Sequence, residues 1–171
     1  MKNKTTLILG IMFAVLLIYY LAISLNPPEV TTGADPLFEG EPPDINRVEF
    51  SNPRRGDIVL ERRNDTWYLT KPFEFKAYDR QVEGMLEDLY NTYIDLDEVD
   101  NDPEAFNRYG VGETSGTSFK AFSDGEMVLD VIVGRQTQEI GHSYVRRNGS
   151  NTVELWRGML SQDVILRAED W

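Results

Sequence analysis

The sequence predicts an α+β fold in which a single N-terminal transmembrane helix is followed by one exported domain of mainly antiparallel strands with one main helix. Three observations support this prediction. They are a charge-free apolar run over residues 7–25, short segments of alternating apolar and polar residues, and one stretch whose apolar residues recur every three or four positions. We expect a cytoplasmic stub and membrane helix over residues 1–25, a linker over residues 26–44 and an exported domain over residues 45–171.

The apolar run has 19 residues, so a helix built from it would be ~28 Å long, close to the ~30 Å hydrocarbon thickness of a bilayer. Lys2 and Lys4 precede the run, and positive residues beside a membrane segment tend to stay in the cytoplasm. The alternative is a cleaved secretory signal ending at Ala22-Ile23-Ser24, although the apolar region of a signal usually has only ~7–15 residues. Both interpretations export the remaining chain.

The amino-acid composition excludes several classes of function for this protein. The chain carries 29 acidic and 17 basic residues, a net charge of −12, which argues against nucleic acid as a partner. It contains no cysteine, which excludes disulfides, thiolate metal sites and cysteine nucleophiles. Small secreted eukaryotic domains usually depend on disulfides, so we expect a bacterial inner-membrane protein whose C-terminal domain is periplasmic.

Residues 26–44 contain five prolines and two glycines, which is typical of a linker. The domain then begins with three predicted strands, over residues 47–50, 57–62 and 66–70, because apolar and polar residues alternate there. Asn64 and Asp65 are expected to form the tight turn between the second and third strands.

A helix is predicted from Asp79 onward, where one apolar stripe is formed by residues 82, 85, 86, 89 and 93. We expect the Asp79 carboxylate to cap its first turn. An acidic loop should follow over residues 95–102. Four further strands are predicted over residues 117–123, 127–133, 143–147 and 152–156, with a short helical piece near residues 159–164. Asp124-Gly125 and Asn148-Gly149 suit tight hairpin turns, so the strands they join should be antiparallel.

The search for chemistry yields no catalytic, cofactor-binding or metal-binding residue. The chain has one histidine, His142, which is expected to be a surface or hydrogen-bonded residue at the start of a strand. The acidic residues 95–102 resemble a calcium-binding loop in composition. Their spacing does not fit an EF-hand, because Val99 occupies a position that needs an oxygen ligand and Asp100 a position that needs glycine. The glycine-rich residues 110–116 lack a P-loop lysine, and we expect them only to lead into the next strand.

Aromatic residues supply most candidates for a partner surface. Trp67, Trp156 and most others are expected in the core, whereas Phe73, Phe75 and Trp171 are less easily placed there. Within the predicted membrane helix, Gly10 and Ala14 are four residues apart and could admit a close helix contact. The candidate partner contacts are therefore Gly10, Ala14, Phe73, Phe75 and Trp171.

Several fragments occur in an order that resembles a bacterial family of uncharacterised domains. They are Leu60-Glu61-Arg62, Trp67-Tyr68-Leu69-Thr70, Arg108-Tyr109-Gly110-Val111, Ile132-Val133-Gly134 and Tyr144-Val145-Arg146. Members of that family are membrane-anchored proteins often encoded beside ABC transporters of the gliding-motility type. The resemblance implies an N-terminal anchor, an exported α+β unit and no established catalytic residue.

These observations lead us to expect a non-enzymatic, single-pass accessory subunit whose periplasmic domain and helix dock on a larger membrane protein complex, either an ABC transporter or an energy-transducing assembly. The alternative is a membrane-tethered periplasmic module that binds a peptide, a glycan or a small ligand. A third possibility is an enzyme that uses only carboxylates, for example on a glycan.

Overall fold

The computed structural model describes Met12, Phe13 and residues 34–171, and Ala34–Trp171 forms one compact unit. The predicted membrane helix over residues 7–25 lies outside the described residues except for Met12 and Phe13, which are helical and exposed. No helix among the described residues is long and apolar enough to cross a bilayer.

One antiparallel sheet dominates the unit. Its ten strands follow the order β1-β6-β10-β9-β8-β7-β2-β3-β4-β5, and every pair of neighbours is antiparallel. The strands are β1 (Asp35–Pro36), β2 (Arg47–Asn52), β3 (Gly56–Arg63), β4 (Thr66–Lys71), β5 (Phe75–Lys76), β6 (Tyr93–Asp100), β7 (Thr117–Ser123), β8 (Glu126–Gln136), β9 (His142–Arg147) and β10 (Val153–Arg157).

Helices are few and short in this unit. They are α1 (Asp79–Tyr90), α2 (Phe106–Tyr109) and α3 (Leu160–Asp163), with 3-10 turns at Pro103–Ala105 and Ala168–Asp170. The predicted fold class is therefore wrong. The described domain is mostly a ten-stranded antiparallel sheet with short covering helices, and no membrane-spanning helix is seen among the residues that the structure describes. The excess of sheet comes from β1 and β5, which have only two residues each, and from β6, where Ile94 and Leu96 alternate with aspartates but the high charge indicated a loop.

Two of the three predicted tight turns form as expected, whereas β9 and β10 are joined by the longer connection 148–152, in which Gly149 has a positive φ angle. Asn64 and Asp65 have φ angles of 51° and 60° and join β3 to β4. Asp124 and Gly125, at 49° and 84°, join β7 to β8. Side chains other than asparagine, aspartate and glycine rarely tolerate positive φ, so these short sequences determine the register of the hairpins locally.

Helix α1 packs its predicted stripe onto the core. Val82, Met85, Leu86 and Leu89 are buried, and each contributes roughly 1.5–3 kcal/mol through removal from water. The fifth predicted member, Tyr93, lies beyond the helix in β6.

The expected cap at the start of α1 is also wrong, because the cap residue is Tyr78 and makes no side-chain cap bond. The Asp79 carboxylate instead accepts a hydrogen bond from the Trp67 backbone N–H at 2.8 Å. Asp79 therefore ties the helix to β4.

Strand β6 replaces the acidic loop predicted over residues 95–102. It pairs with β10, placing Ile94 opposite Trp156 and Leu96 opposite Leu155. Ile94 is buried and Asp95 is partly buried, whereas Asp97 and Glu98 are exposed. The high charge of this segment hid its few apolar contacts with the sheet.

The two faces of the sheet carry separate apolar clusters. In β8, Val131 and Val133 belong to the main core with α1 and α3, whereas Ile132 between them packs with Val111 and Val153. This alternation follows from the two-residue period of a strand. The chain from Pro103 to Gly116 covers the smaller cluster.

Residues 34–44, within the predicted linker, belong to the compact unit. β1 pairs with Tyr93 and Ile94, and the Leu37 N–H donates to the Thr92 carbonyl at 3.0 Å. Leu37 and Phe38 pack against the main core. This part of the chain therefore lies along the sheet.

Candidate interaction surface

Three exposed aromatic side chains lie beside the last strand of the sheet. Phe73, Phe75 and Tyr78 are 51, 65 and 62 % exposed, and we call them the edge patch. Large aromatic side chains are normally buried, so three within six residues mark a surface that can bind another molecule.

The edge patch is built by the turn that follows β4. Pro72 cannot donate a hydrogen bond, and β4 ends at the residue before it. The chain then reverses, and Phe75 of β5 pairs opposite Leu69 of β4. Directly paired residues point to the same face, so Phe75 extends the apolar face of Leu69 to the sheet edge. Leu69 is 1 % exposed, whereas Phe75 lies beyond the reach of the core.

Backbone hydrogen bonds hold the patch in place. The Ala77 N–H donates to the Trp67 carbonyl, and the Tyr78 N–H donates to the Trp171 carbonyl, both at 2.9 Å. Together with the Asp79 bond to Trp67, these contacts connect the C-terminal side of the patch to the domain, and the pairing of β5 with β4 holds Phe75. The aromatic side chains are thus presented from an ordered backbone, which lowers the entropy lost on binding.

Charged side chains around the patch are paired with one another. Arg63 contacts Glu74 at 2.9 Å and Glu61 at 3.1 Å, and Lys76 approaches Asp79 at 3.9 Å. The hydrogen bonds to Glu61 and Glu74 raise the pKa of Arg63. Because these charges are largely neutralised locally, apolar contact dominates what the patch offers to a partner.

The structure brings Phe73 and Phe75 together but places Trp171 differently. Trp171 is only 6 % exposed, and its ring stacks on Phe50 with 5.4 Å between centroids. Its backbone touches the edge patch through Tyr78, while its indole belongs to the core. Gly10 and Ala14 lie outside the described residues. Tyr78 was not predicted as a partner contact, because it directly precedes the helix. Its closeness in sequence to Phe73 and Phe75 was the signal that could have identified it.

His142 forms a polar cluster on the other half of the sheet. Its Nε2 lies 2.8 Å from Asp95 Oδ2, and Arg157 Nε lies 3.4 Å from Asp95 Oδ1. Arg157 of β10 pairs directly with His142 in β9 and with Tyr93 in β6, so Asp95 connects three strands. Among the described residues no hydroxyl group hydrogen-bonds to His142, and the cluster acts as a tie between strands.

Asp163 has the most perturbed carboxyl group. Burial and the nearby Asp88 raise the pKa of Asp163 to about 7, and its Oδ2 has no hydrogen-bond partner. Such a pKa would suit a general acid. The side chain sits between α1 and α3, however, and no polar donor among residues 34–171 orients it. Within residues 34–171, no group of three or more histidine and carboxylate side chains is arranged to hold a metal ion.

Comparison with known proteins identifies the family. The family described as a domain of unknown function (DUF4340) matches residues 67–171, which is more than half of the chain. Comparisons with curated proteins and with solved structures return no match. The match begins at β4, while β2 and β3, which lie between β7 and β4 in the sheet, precede it. The chain belongs to the DUF4340 family of uncharacterised domains.

Proposed function

We propose that this protein is a non-enzymatic accessory subunit that docks on a larger membrane protein complex, and that the edge patch is its contact surface. The single observation that carries the proposal is the set of three exposed aromatic side chains on an ordered sheet edge. A membrane location agrees with the charge-free sequence of residues 7–25 and with Lys2 and Lys4 before it. The complex is an ABC transporter or an energy-transducing assembly of the bacterial inner membrane, and the domain acts on its periplasmic side.

The partner that fits this edge is an extended polypeptide segment with apolar side chains. On its inner side β5 pairs with β4, and within residues 34–171 no strand pairs with its outer side. An added strand would complete the backbone hydrogen bonds of β5, as in other cases of strand addition. Its apolar side chains would cover Phe75, which continues the apolar face beyond Leu69. Strand addition would thus complete the backbone hydrogen bonds of β5 and remove the exposed Phe75 ring from water.

Site-specific crosslinking tests the docking surface. A photoreactive residue replaces Phe75 in the full-length protein, and the same residue replaces Ile140 as a control, because Ile140 is 88 % exposed in the β8–β9 connection. After irradiation of intact cells, mass spectrometry identifies the crosslinked peptides. We expect position 75 to crosslink to a periplasmic segment of an inner-membrane complex, and position 140 to give no such product. Equal products at both positions, or none at position 75, would refute the proposed surface.

Matched substitutions test the contribution of the aromatic rings. Phe73→Ser with Phe75→Ser should abolish co-purification of the crosslinked complex in mild detergent, whereas Ile140→Ser should preserve it. Truncation of well-packed aromatic contacts typically costs ~2 kcal/mol or more of binding energy, a loss of at least ~30-fold in affinity. Retention of the complex by the double variant would contradict the assignment.

Protease treatment of spheroplasts tests the location. We expect the domain to be digested once the outer membrane is opened, while a cytoplasmic marker survives. Digestion only after lysis of the inner membrane would place the domain in the cytoplasm and overturn the periplasmic assignment.

A further inference from the structure

A second surface of the domain contains a buried cation without an acidic partner. Arg146 of β9 is only 7 % exposed, and it forms no salt bridge with any carboxylate in the described part of the chain. The next residue, Arg147, is more exposed and pairs with Glu154 at 2.9 Å. Burying an unpaired charge is costly, so the environment of Arg146 must compensate it by other means.

Backbone carbonyls and an aromatic ring hold the Arg146 guanidinium. Its Nε donates to the Val111 carbonyl at 3.1 Å, and its Nη1 donates to the Ser150 carbonyl at 2.9 Å. The guanidinium carbon lies 4.5 Å from the centroid of the Phe106 ring. These contacts orient the group but leave its positive charge unneutralised.

The remaining nitrogen of Arg146 reaches an open depression. Nη2 has no hydrogen-bond acceptor among residues 34–171. It is not fully buried, so solvent reaches it. Arg146 lines a depression of about 480 Å³ together with Phe106, Asn107, Thr114 and Asn151. The side chains of this wall offer amide and hydroxyl donors beside the guanidinium.

We propose that this depression, the Arg146 site, binds a carboxylate group. A carboxylate can accept hydrogen bonds from Nη2 and neutralise the charge of the guanidinium, which the two carbonyl bonds already orient. Glu113 also lines the depression, and the chain has a net charge of −12. Both features oppose a phosphate dianion more strongly than a singly charged carboxylate. The carboxylate belongs either to a small organic acid or to the C-terminus of a peptide.

The Arg146 site goes beyond the proposed docking function and does not depend on it. The edge patch lies on β5 at one end of the strand order, whereas Arg146 lies on β9, with β8, β7, β2, β3 and β4 between them. Loss of docking and loss of carboxylate binding should therefore be separable by substitution.

Nuclear magnetic resonance titration of the full-length protein in detergent micelles with sodium acetate tests the site, with sodium chloride at equal ionic strength as the reference. We expect saturable shifts of the Arg146 Hε signal and of the amide signals of Gly112, Gly149 and Asn151, with a dissociation constant on the order of 1–10 mM for so small a ligand. Shifts that are absent, linear in concentration or identical in chloride would overturn the proposal.

A substitution beside Arg146 provides the specific control. Asn151→Asp places a carboxylate on the exposed wall of the depression, where it competes with the ligand and repels it. We expect at least a tenfold loss of acetate affinity with an unchanged spectrum elsewhere. Asn64→Asp adds the same charge at the β3–β4 turn and should bind acetate like the wild type. Equal affinity in both variants would exclude Arg146 as the anchor.

A pair of peptides distinguishes the two sources of the carboxylate. A short peptide with a free C-terminus is compared with the same peptide carrying a C-terminal amide. Tighter binding of the free acid than of acetate identifies a peptide C-terminus, and binding equal to acetate identifies a small acid. Equal binding of the acid and the amide at the depression would refute carboxylate recognition.

Discussion

Trp171 stacks on Phe50 of β2, with ring centroids 5.4 Å apart and an angle of 26° between the planes. Phe50 in turn packs against Phe119 of the neighbouring strand β7, with 5.2 Å between centroids. The stack therefore joins the last residue of the family match to β2, which lies outside that match.

Removal of the Trp171 ring should destabilise the domain. We expect Trp171→Ala to lower the free energy of unfolding by about 3–4 kcal/mol, because it leaves a cavity over Phe50. Urea denaturation followed by circular dichroism measures the effect. Phe75→Ala removes an aromatic ring from an exposed site and should change stability by no more than about 0.5 kcal/mol. Similar effects of the two substitutions would show that Trp171 is not a core residue.

Gly84→Ala should stabilise the domain. Gly84 lies within α1, and an added Cβ would meet no atom within 4 Å. Alanine lowers the conformational entropy of the unfolded chain and favours the helix, so we expect a gain of about 0.5–1 kcal/mol in urea denaturation. Gly134→Ala is the contrasting variant and should destabilise the domain, because its Cβ would collide with the Tyr109 carbonyl oxygen. A gain at position 134, or a loss at position 84, would contradict the packing described here.

Asp163→Asn should stabilise the domain most at alkaline pH. Burial first, and Asp88 second, raise the pKa of Asp163 to about 7, so above that pH the native state carries a poorly solvated charge. This charge lowers the free energy of unfolding of the wild type. That stability is regained as the pH falls from about 7 towards the unfolded-state pKa near 4, because protonation neutralises the group in the native state.

Urea denaturation across this pH range measures the difference between Asp163→Asn and the wild type. We expect the variant to be about 2 kcal/mol more stable at pH 8, with the advantage disappearing near pH 4. Asp65→Asn, at an exposed turn, should show no such trend. A constant difference between pH 4 and pH 8 would mean that Asp163 is not the titrating group.

The segment matched by the family should not fold by itself. A fragment of residues 67–171 lacks β2 and β3, so β7 and β4 each lose a strand neighbour. We expect this fragment to lack cooperative thermal unfolding by circular dichroism, whereas residues 34–171 should unfold cooperatively. Cooperative unfolding of the shorter fragment would show that β2 and β3 are dispensable.

Much of the local structure could be predicted from sequence because it depends on local chemistry. Asn64-Asp65 and Asp124-Gly125 form their turns because these residues tolerate positive φ. The stripe of α1 was predictable because four apolar residues repeat with the helical period. The short helix near residues 159–164 was also confirmed, as α3.

Other features depend on partners distant in sequence. The acidic segment of β6 forms a strand only because β10 supplies its backbone partners, and four carboxylates concealed the weak apolar pattern. Asp79 had the position of a helix cap, but the Trp67 N–H twelve residues earlier provides its hydrogen bond. The Arg146 site was missed because Val111 and Ser150 converge on it from separate connections.

The sequence by itself determined the turns, the helical stripe, most strands of the sheet and the absence of cysteine chemistry, since these follow from backbone preferences and composition. Only the tertiary structure decided that the domain is mainly sheet, that Phe75 is exposed while Trp171 is buried, and that Arg146 is buried with no salt bridge to a described carboxylate. Exposure and charge pairing depend on which residues, distant in sequence, pack beside a side chain. Local periodicity contains little information about those contacts.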